Sequence, residues 1–234
     1  MSNKIAVVSG GTKGIGKAIV FKFMENGFDV ITCSRNQSDL DGLKTLTNNY
    51  NGNLHTFKAD LSKKNEVDAF AKYIQTKSDK VDVLVNNAGV FIPGEMSTEK
   101  EGSLEFMMNT NLYSAYHLSR SLIQGMITHK SGDIFNICSV ASKMAYPNGG
   151  SYSISKFAMY GMSKGLREEL KPHGIRVTAV LPGATYTASW EGIDLPEERF
   201  IKAEDVAEVL WSAYSLSRNS VVEDLIIRPQ LGDL

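Results

Sequence analysis

An apolar strand that runs directly into glycines is the feature that most narrows how this chain can fold. Ile5-Ala6-Val7-Val8 is a short, largely β-branched run of the kind a buried parallel strand carries. Ser9-Gly10-Gly11-Thr12-Lys13-Gly14-Ile15-Gly16 follows at once, and Lys17 to Asn26 then places Ala18, Ile19, Phe21, Phe23 and Met24 at helical spacing. Gly27 leads into the next strand, Asp29 to Cys33, so the unit reads strand, glycine turn, helix, strand. Such a turn lets backbone N–H groups approach a pyrophosphate at a helix N-terminus, where the dipole also favours negative charge. Gly10, Thr12, Lys13, Gly14, Ile15 and Gly16 are therefore the candidate cradle.

The end of the second strand indicates which dinucleotide fits. About twenty residues past the glycines, a site for NAD carries an acidic residue for the ribose 2′-hydroxyl. Here Ser34-Arg35 occupies that place. A carboxylate would repel a 2′-phosphate, whereas a guanidinium pairs with it through two parallel hydrogen bonds. With Lys13 as a second cation nearby, the expected cofactor is NADP(H).

A second constellation lies in the middle of the chain. Tyr152 and Lys156 stand at i and i+4 and so share one helix face, with Ser139 thirteen residues before the tyrosine. An unperturbed phenol titrates near pH ~10, and a fixed neighbouring cation is one way to bring that down for proton transfer at neutral pH. Ser139 closes the apolar strand Ile134 to Cys138, and the C-terminal edge of a parallel sheet is where open α/β folds bind ligands. Hydride arriving at a carbonyl carbon develops negative charge on its oxygen, and Tyr152 and Ser139 supply a proton and hydrogen-bond donors for it.

Gly10-x-x-x-Gly14-x-Gly16, Asp60-Leu61, Asn86-Asn87-Ala88-Gly89, Asn111, Ser139, Tyr152-x-x-x-Lys156 and Pro182-Gly183 stand in one order and spacing across nearly the whole chain. In this the sequence resembles the short-chain dehydrogenase/reductase family. The resemblance implies a single Rossmann-like domain with NAD(P)-dependent oxidoreductase chemistry. It makes Tyr152 the general acid/base, Lys156 the residue that lowers its pKa and holds the nicotinamide ribose, and Ser139 the group that positions the substrate oxygen. Asn111 would help hold a water chain to the lysine. The same resemblance places Asp60 and Leu61 at the adenine, and Thr185 and Thr187, after Pro182-Gly183, at the nicotinamide carboxamide. Asp60 reads equally as a helix cap before Lys63-Lys64-Asn65, and either threonine as a solvated loop residue. The small residues of Asn87-Ala88-Gly89 allow close backbone approach to the cofactor ribose, while Asn86 reads as a tie between adjacent strands. The nearest group is the 3-oxoacyl-[acyl-carrier-protein] reductase-like set, from whose usual glycine-rich ending the segment Leu225 to Leu234 departs.

Strands at roughly 4–8, 29–33, 54–59, 81–85, 133–138, 176–181 and 224–227 alternate with about six helical stretches. They predict an α/β fold: a single-domain, Rossmann-like, doubly wound parallel sheet over residues 1–234, flanked by helices. A short substrate loop is expected at about 184–200. Met144, Tyr146 and Trp190 are the candidate substrate contacts, with Trp190 either closing over the substrate or packing on the domain or a neighbouring subunit. Long helices are expected at Thr98 to Ile127 and Tyr152 to Lys171. Relatives pair such helices across two-fold axes, so a homodimer or homotetramer is expected.

A net charge of −1 supplies no basic stripe for nucleic acid. The longest apolar runs are only strand length and the first strand begins by residue 4, so the expectation is a cytoplasmic protein without a membrane segment. Cys33 and Cys138 read as buried reduced thiols. His55, His117, His129 and His173 lack ligand spacing, so no metal is expected. The function to be tested is hydride transfer between NADP(H) and a small carbonyl or secondary alcohol. The alternative is an NADP(H)-sensing regulatory protein without turnover, which would need the glycines and Arg35 but not the tyrosine, lysine, serine and asparagine together.

Overall fold

In the computed structural model, described for residues 3–187 and 195–233, the apolar runs form seven strands. These are β1 (Ile5–Ser9), β2 (Asp29–Ser34), β3 (Leu54–Lys58), β4 (Val83–Asn86), β5 (Gly132–Ile137), β6 (Ile175–Pro182) and β7 (Asp224–Ile227). They hydrogen-bond in the order β3-β2-β1-β4-β5-β6-β7, and every pairing is parallel. This is a Rossmann-like α/β fold in a single domain. The order reverses between β1 and β4, and a crevice opens beyond their carboxyl ends, the usual ligand position in such sheets.

Alternation along the central strands divides the core into two layers. Ala6 and Val8 of β1, with Val83 and Val85 of β4, face one side, where α1 (Gly14–Glu25) and α7 (Ala203–Ser215) bury Ile19, Phe23, Val206 and Leu210 against them. Ile5 and Val7, with Leu84 and Ile134, face the other side, covered by Phe70 and Ile74 of α3 (Lys64–Lys77) and by Leu118 and Met126 of α5 (Ser114–His129). Between β2 and β3, α2 (Gln37–Thr47) buries Leu40 and Leu43.

The long helix expected from Thr98 begins instead at Ser103. Gly102 sits at φ 85, a left-handed conformation that glycine adopts without cost, and sets the start of α4 (Ser103–Met108). A π-helical turn, Asn109–Tyr113, then joins α4 to α5. The helix expected from Tyr152 starts two residues earlier, as α6 (Gly150–Leu170).

Opposite the crevice, one buried carboxylate ties the amino ends of β5 and β6 to the segment between α7 and β7. Asp133, 3% exposed, accepts from Arg176 Nε at 2.6 Å and from Arg218 Nη1 at 2.5 Å. Arg176 donates onward to the Tyr214 and Leu216 carbonyls, and Arg218 to those of Gly132 and Gly174. Removing one partner of a buried ion pair leaves the other charge unpaired in low dielectric, at a cost of about 3–5 kcal/mol. Asp133→Ala is expected to lose that much stability, measured by urea denaturation, whereas a loss below about 1 kcal/mol, the size of an exposed pair, would show that solvent already screens the cluster.

Candidate active site

The crevice is a cleft of about 620 Å³ running from the end of β2, past the glycine turn, to the ends of β5 and β6. Gly10, Thr12, Lys13, Gly14, Ile15, Gly16, Ser34, Arg35, Asp60, Leu61, Asn87, Ala88 and Gly89 line one part of it. Ser139, Met144, Tyr146, Tyr152, Lys156, Pro182, Gly183, Thr185 and Thr187 line the rest. Of the residues singled out in the sequence, Asn111 lies buried behind the wall, and Trp190 falls outside the described residues.

Two polar side chains that the strand patterns did not flag build the glycine turn. Thr32, in the middle of apolar β2, donates to the Val8 carbonyl at 2.7 Å and accepts from Gly11 N at 3.0 Å. Ser9 Oγ accepts from the Asn87 and Ala88 amides, both at 3.0 Å. Asn87 returns its side-chain amide to the Ser9 and Gly10 carbonyls, each at 3.0 Å, so it anchors the turn from within the cleft wall. A Cβ on Gly16 would stand 2.4 Å from both Asn87 Nδ2 and the Gly10 carbonyl, so only glycine fits there. No side chain caps α1, and its N-terminal turn lines the cleft. Backbone donors at a helix N-terminus without a capping acceptor suit a pyrophosphate, so this cradle fits a dinucleotide.

At the end of β2, Arg35 is exposed and makes no side-chain hydrogen bond among the described residues. Lys13 pairs with Asp39 at 3.1 Å, an acid the sequence reading did not consider. Asp60 caps its own turn: Oδ1 accepts from Ser62 N at 3.1 Å and from Ser62 Oγ at 2.8 Å. Although burial works against it, these hydrogen bonds and the nearby Lys63 and Arg35 charges leave its carboxyl below the usual range. Asn86 behaves as a strand tie, donating to Asn136 Oδ1 at 2.8 Å and Ser119 Oγ at 2.9 Å. Thr185 is 5% exposed and donates to the Gly183 carbonyl at 3.0 Å, whereas Thr187 lies against Gly14, whose added Cβ would meet its Cγ2 at 2.9 Å.

At the β5 end, Ser139 caps the short turn Val140–Ser142, accepting from Ala141 N at 3.1 Å, and its hydroxyl faces the Tyr152 phenol. Phe91 stands edge-on to the Tyr152 ring, with centroids 4.9 Å apart at 72°. Burial pushes the phenol up to about 12, against a downward pull from Ser139. This departs from the expectation that Lys156 holds it down. Lys156 Nζ donates to the Ile137 carbonyl at 2.8 Å and lies 5.8 Å from the phenol ring centroid, and burial lowers its own pKa. Burial thus disfavours the charged form of each. Asn111, in the π turn, accepts from Val90 N at 2.7 Å and donates to the Val90 carbonyl and to Ser155 Oγ, at 3.0 and 2.9 Å. Its amide therefore fixes the wall beside Gly89, where Lys156 Nζ also lies. Burial raises the thiols too, Cys33 to about 12 and Cys138 to about 11, so both are inert here. Among the described residues there is no group of three metal-ligating side chains, and no helix long and apolar enough to cross a membrane.

A dinucleotide cradle at the switch point of a parallel sheet, continuous with a tyrosine, lysine and serine at the carboxyl edge, defines a Rossmann-type oxidoreductase. The chain belongs to the short-chain dehydrogenase family, whose model matches residues 4–198. It is 32% identical over 238 residues to a sepiapterin reductase of Chlorobaculum tepidum, with 98% of each chain covered. Among solved structures, a metagenomic short-chain oxidoreductase in complex with NADP is similar at 30% identity and TM-score 0.84, covering 98% of both chains. A short-chain dehydrogenase from Sphingobium yanoikuyae in complex with NADPH is similar at 26% identity and TM-score 0.84, covering 97% of this chain and 88% of that one.

A phenol whose folded-state pKa is raised favours the native state most strongly while it is protonated. That contribution is complete below about pH 10, the unfolded value, and is lost as pH climbs toward the folded value of about 12. Wild-type protein is therefore expected to lose stability relative to Tyr152→Phe as pH rises above 10, read by paired urea titrations. A constant difference across that interval would show that the phenol is not perturbed.

Proposed function

We propose that this protein is an NADP(H)-dependent reductase and dehydrogenase acting on a small carbonyl or secondary alcohol. The observation that carries the reading is the meeting of Tyr152 and Ser139 over a cleft whose far end presents Arg35 and Lys13. When bound, the nicotinamide supplies or accepts the hydride. The chain's own residues do the rest. The glycine turn and the α1 N-terminus hold the pyrophosphate, Arg35 and Lys13 the 2′-phosphate, and Asp60 and Leu61 the adenine. Thr185 and Thr187 hold the carboxamide end, near Pro182-Gly183. Ser139 orients the substrate oxygen beside the phenol. Tyr152 Oη gives its proton to that oxygen in reduction, which suits a group kept protonated at neutral pH; oxidation runs the same transfer in reverse and starts from the phenolate. Lys156 holds the cofactor ribose, and the proton that restores the phenol is taken up from solvent. Asn111 positions this wall through Val90.

The name of the 32%-identical relative makes sepiapterin a first substrate to try, beside ketones, aldehydes, diketones and 3-oxoacyl thioesters. Met144 and Tyr146, both exposed at the cleft, are the substrate contacts, with Trp190 proposed from the sequence alone. Exposed Leu104, Tyr113, Tyr116, Ile154 and Phe157 on α4, the π turn, α5 and α6 support a homodimer or homotetramer. Unpaired Cys33 and Cys138 suit the reducing cytoplasm. A non-catalytic sensor would have no use for a phenol, serine and lysine gathered at the carbonyl end.

Tyr152→Phe is expected to lower turnover about 10²- to 10⁴-fold, the usual worth of a general acid, with NADPH binding retained; the measurement is NADPH oxidation with the substrate panel. Turnover unchanged in the variant would remove Tyr152 from the chemistry. Arg35→Ala should weaken NADPH by roughly 1.5–3 kcal/mol, the loss of a charge-assisted hydrogen bond, and leave NADH nearly unaffected. A wild-type enzyme that prefers NADH would overturn the cofactor assignment.

A further inference from the structure

The helix that carries Tyr152 and Lys156 has no cap of its own. Gly149 precedes α6 without offering a side chain, and the chain reaches the helix through positive φ at Asn148 (φ 60) and Gly150 (φ 22). The first amides of a helix have no intrahelical partner. Here a partner comes from a segment 52 residues earlier. Glu99 Oε2 accepts from Ser151 N at 3.3 Å, while Oε1 accepts from the Ser151 hydroxyl. Ser151 is 1% exposed and Glu99 half-buried. The next residue is Tyr152.

The same segment grips the site at three further points. Gly94 N donates to the Asn148 carbonyl at 3.0 Å, and a Cβ on Gly150 would stand 2.4 Å from the Gly94 carbonyl and 3.0 Å from Glu99 Oε2. Phe91 contacts the Tyr152 ring edge-on, and Asn111 holds Val90 by both its N–H and its carbonyl. The wall from Val90 to Glu99 and the first turn of α6 therefore form one unit, closed at its outer end by a carboxylate on a helix N-terminus, where the dipole favours negative charge.

We propose that Glu99 is a positioning residue for Tyr152: by capping α6 through Ser151 it fixes the phenol over the substrate oxygen. Tyr152 lies in the first helical turn, whose order depends on the cap. Lys156 lies a turn deeper and is held independently by the Ile137 carbonyl. Loss of the cap should thus displace the phenol and spare the cofactor cradle. The inference rests on the reductase reading above.

Glu99→Ala is expected to lower kcat roughly ten- to a hundredfold, as misplacement of a reacting group by about an ångström does. The NADPH dissociation constant, read by fluorescence titration, should stay within about twofold. Glu99→Gln keeps one acceptor for Ser151 and should give an intermediate kcat. Glu99→Ala with wild-type kcat, or with kcat and NADPH binding falling together, would overturn the proposal, as would Glu99→Gln no better than Glu99→Ala. Amide exchange over residues 150–156 separates this from failure of the reductase reading itself. If no carbonyl compound is turned over by the wild type, faster exchange there in Glu99→Ala still supports the cap, and unchanged exchange removes it.

Discussion

The crevice exists because two side chains stitch its walls together. Ser9 and Asn87 sit at the carboxyl ends of β1 and β4, where the sheet order reverses and the connecting helices leave on opposite faces. Nothing in strand pairing alone fixes the spacing of those two loops. Ser9 Oγ takes two amides from the β4 side, and Asn87 returns two hydrogen bonds to backbone carbonyls on the β1 side. Gly16 must stay small because Asn87 occupies the space a Cβ would need. The glycine turn, its open helix N-terminus and the cleft floor all follow from this reciprocal clasp, with Thr32 steadying Gly11 from the next strand.

Electrostatics at the other end of the cleft are governed by burial more than by attraction. A phenol and an amine that both lose hydration are pushed toward their neutral forms; Ser139 pulls the phenol only partly back, and the amine donates to the Ile137 carbonyl. Burial, not attraction, keeps the proton on the tyrosine. Asp133, also buried, remains surrounded by guanidinium groups at the far edge of the sheet, where its charge ties chain segments together without reaching the cleft.

How much could be read beforehand depended on how local each determinant is. The strands were legible because parallel strands buried on both faces appear as continuous apolar runs, and all seven fall within two residues of their expected bounds. The cleft-lining glycines, Arg35, Ser139, Tyr152 and Lys156 were legible because their spacing forms recognisable patterns. The clasp through Ser9 and Thr32 was not, since a single hydroxyl in or at the end of an apolar strand gives no sign of the backbone it meets across the sheet. Glu99 was equally silent, because its partner lies 52 positions away and looks like any serine in the first turn of a helix. Asp39 became visible only as the partner of Lys13. The length of the helix before Ile127 was overread because apolar spacing does not register one left-handed glycine or a change of helical pitch.

That change of pitch has a consequence for how the gene can vary. The π turn at Asn109–Tyr113 takes up one residue more than an α turn would, so α4 and α5 are offset by about 100° about their common axis. Asn111 owes its inward direction to this offset, and α5 owes to it the face that meets α3 and the sheet. Substitutions along α4 act locally, but deleting one codon there would close the turn into ordinary helix and rotate everything before it relative to everything after. The stretch is therefore one whose length is under tighter constraint than its letters.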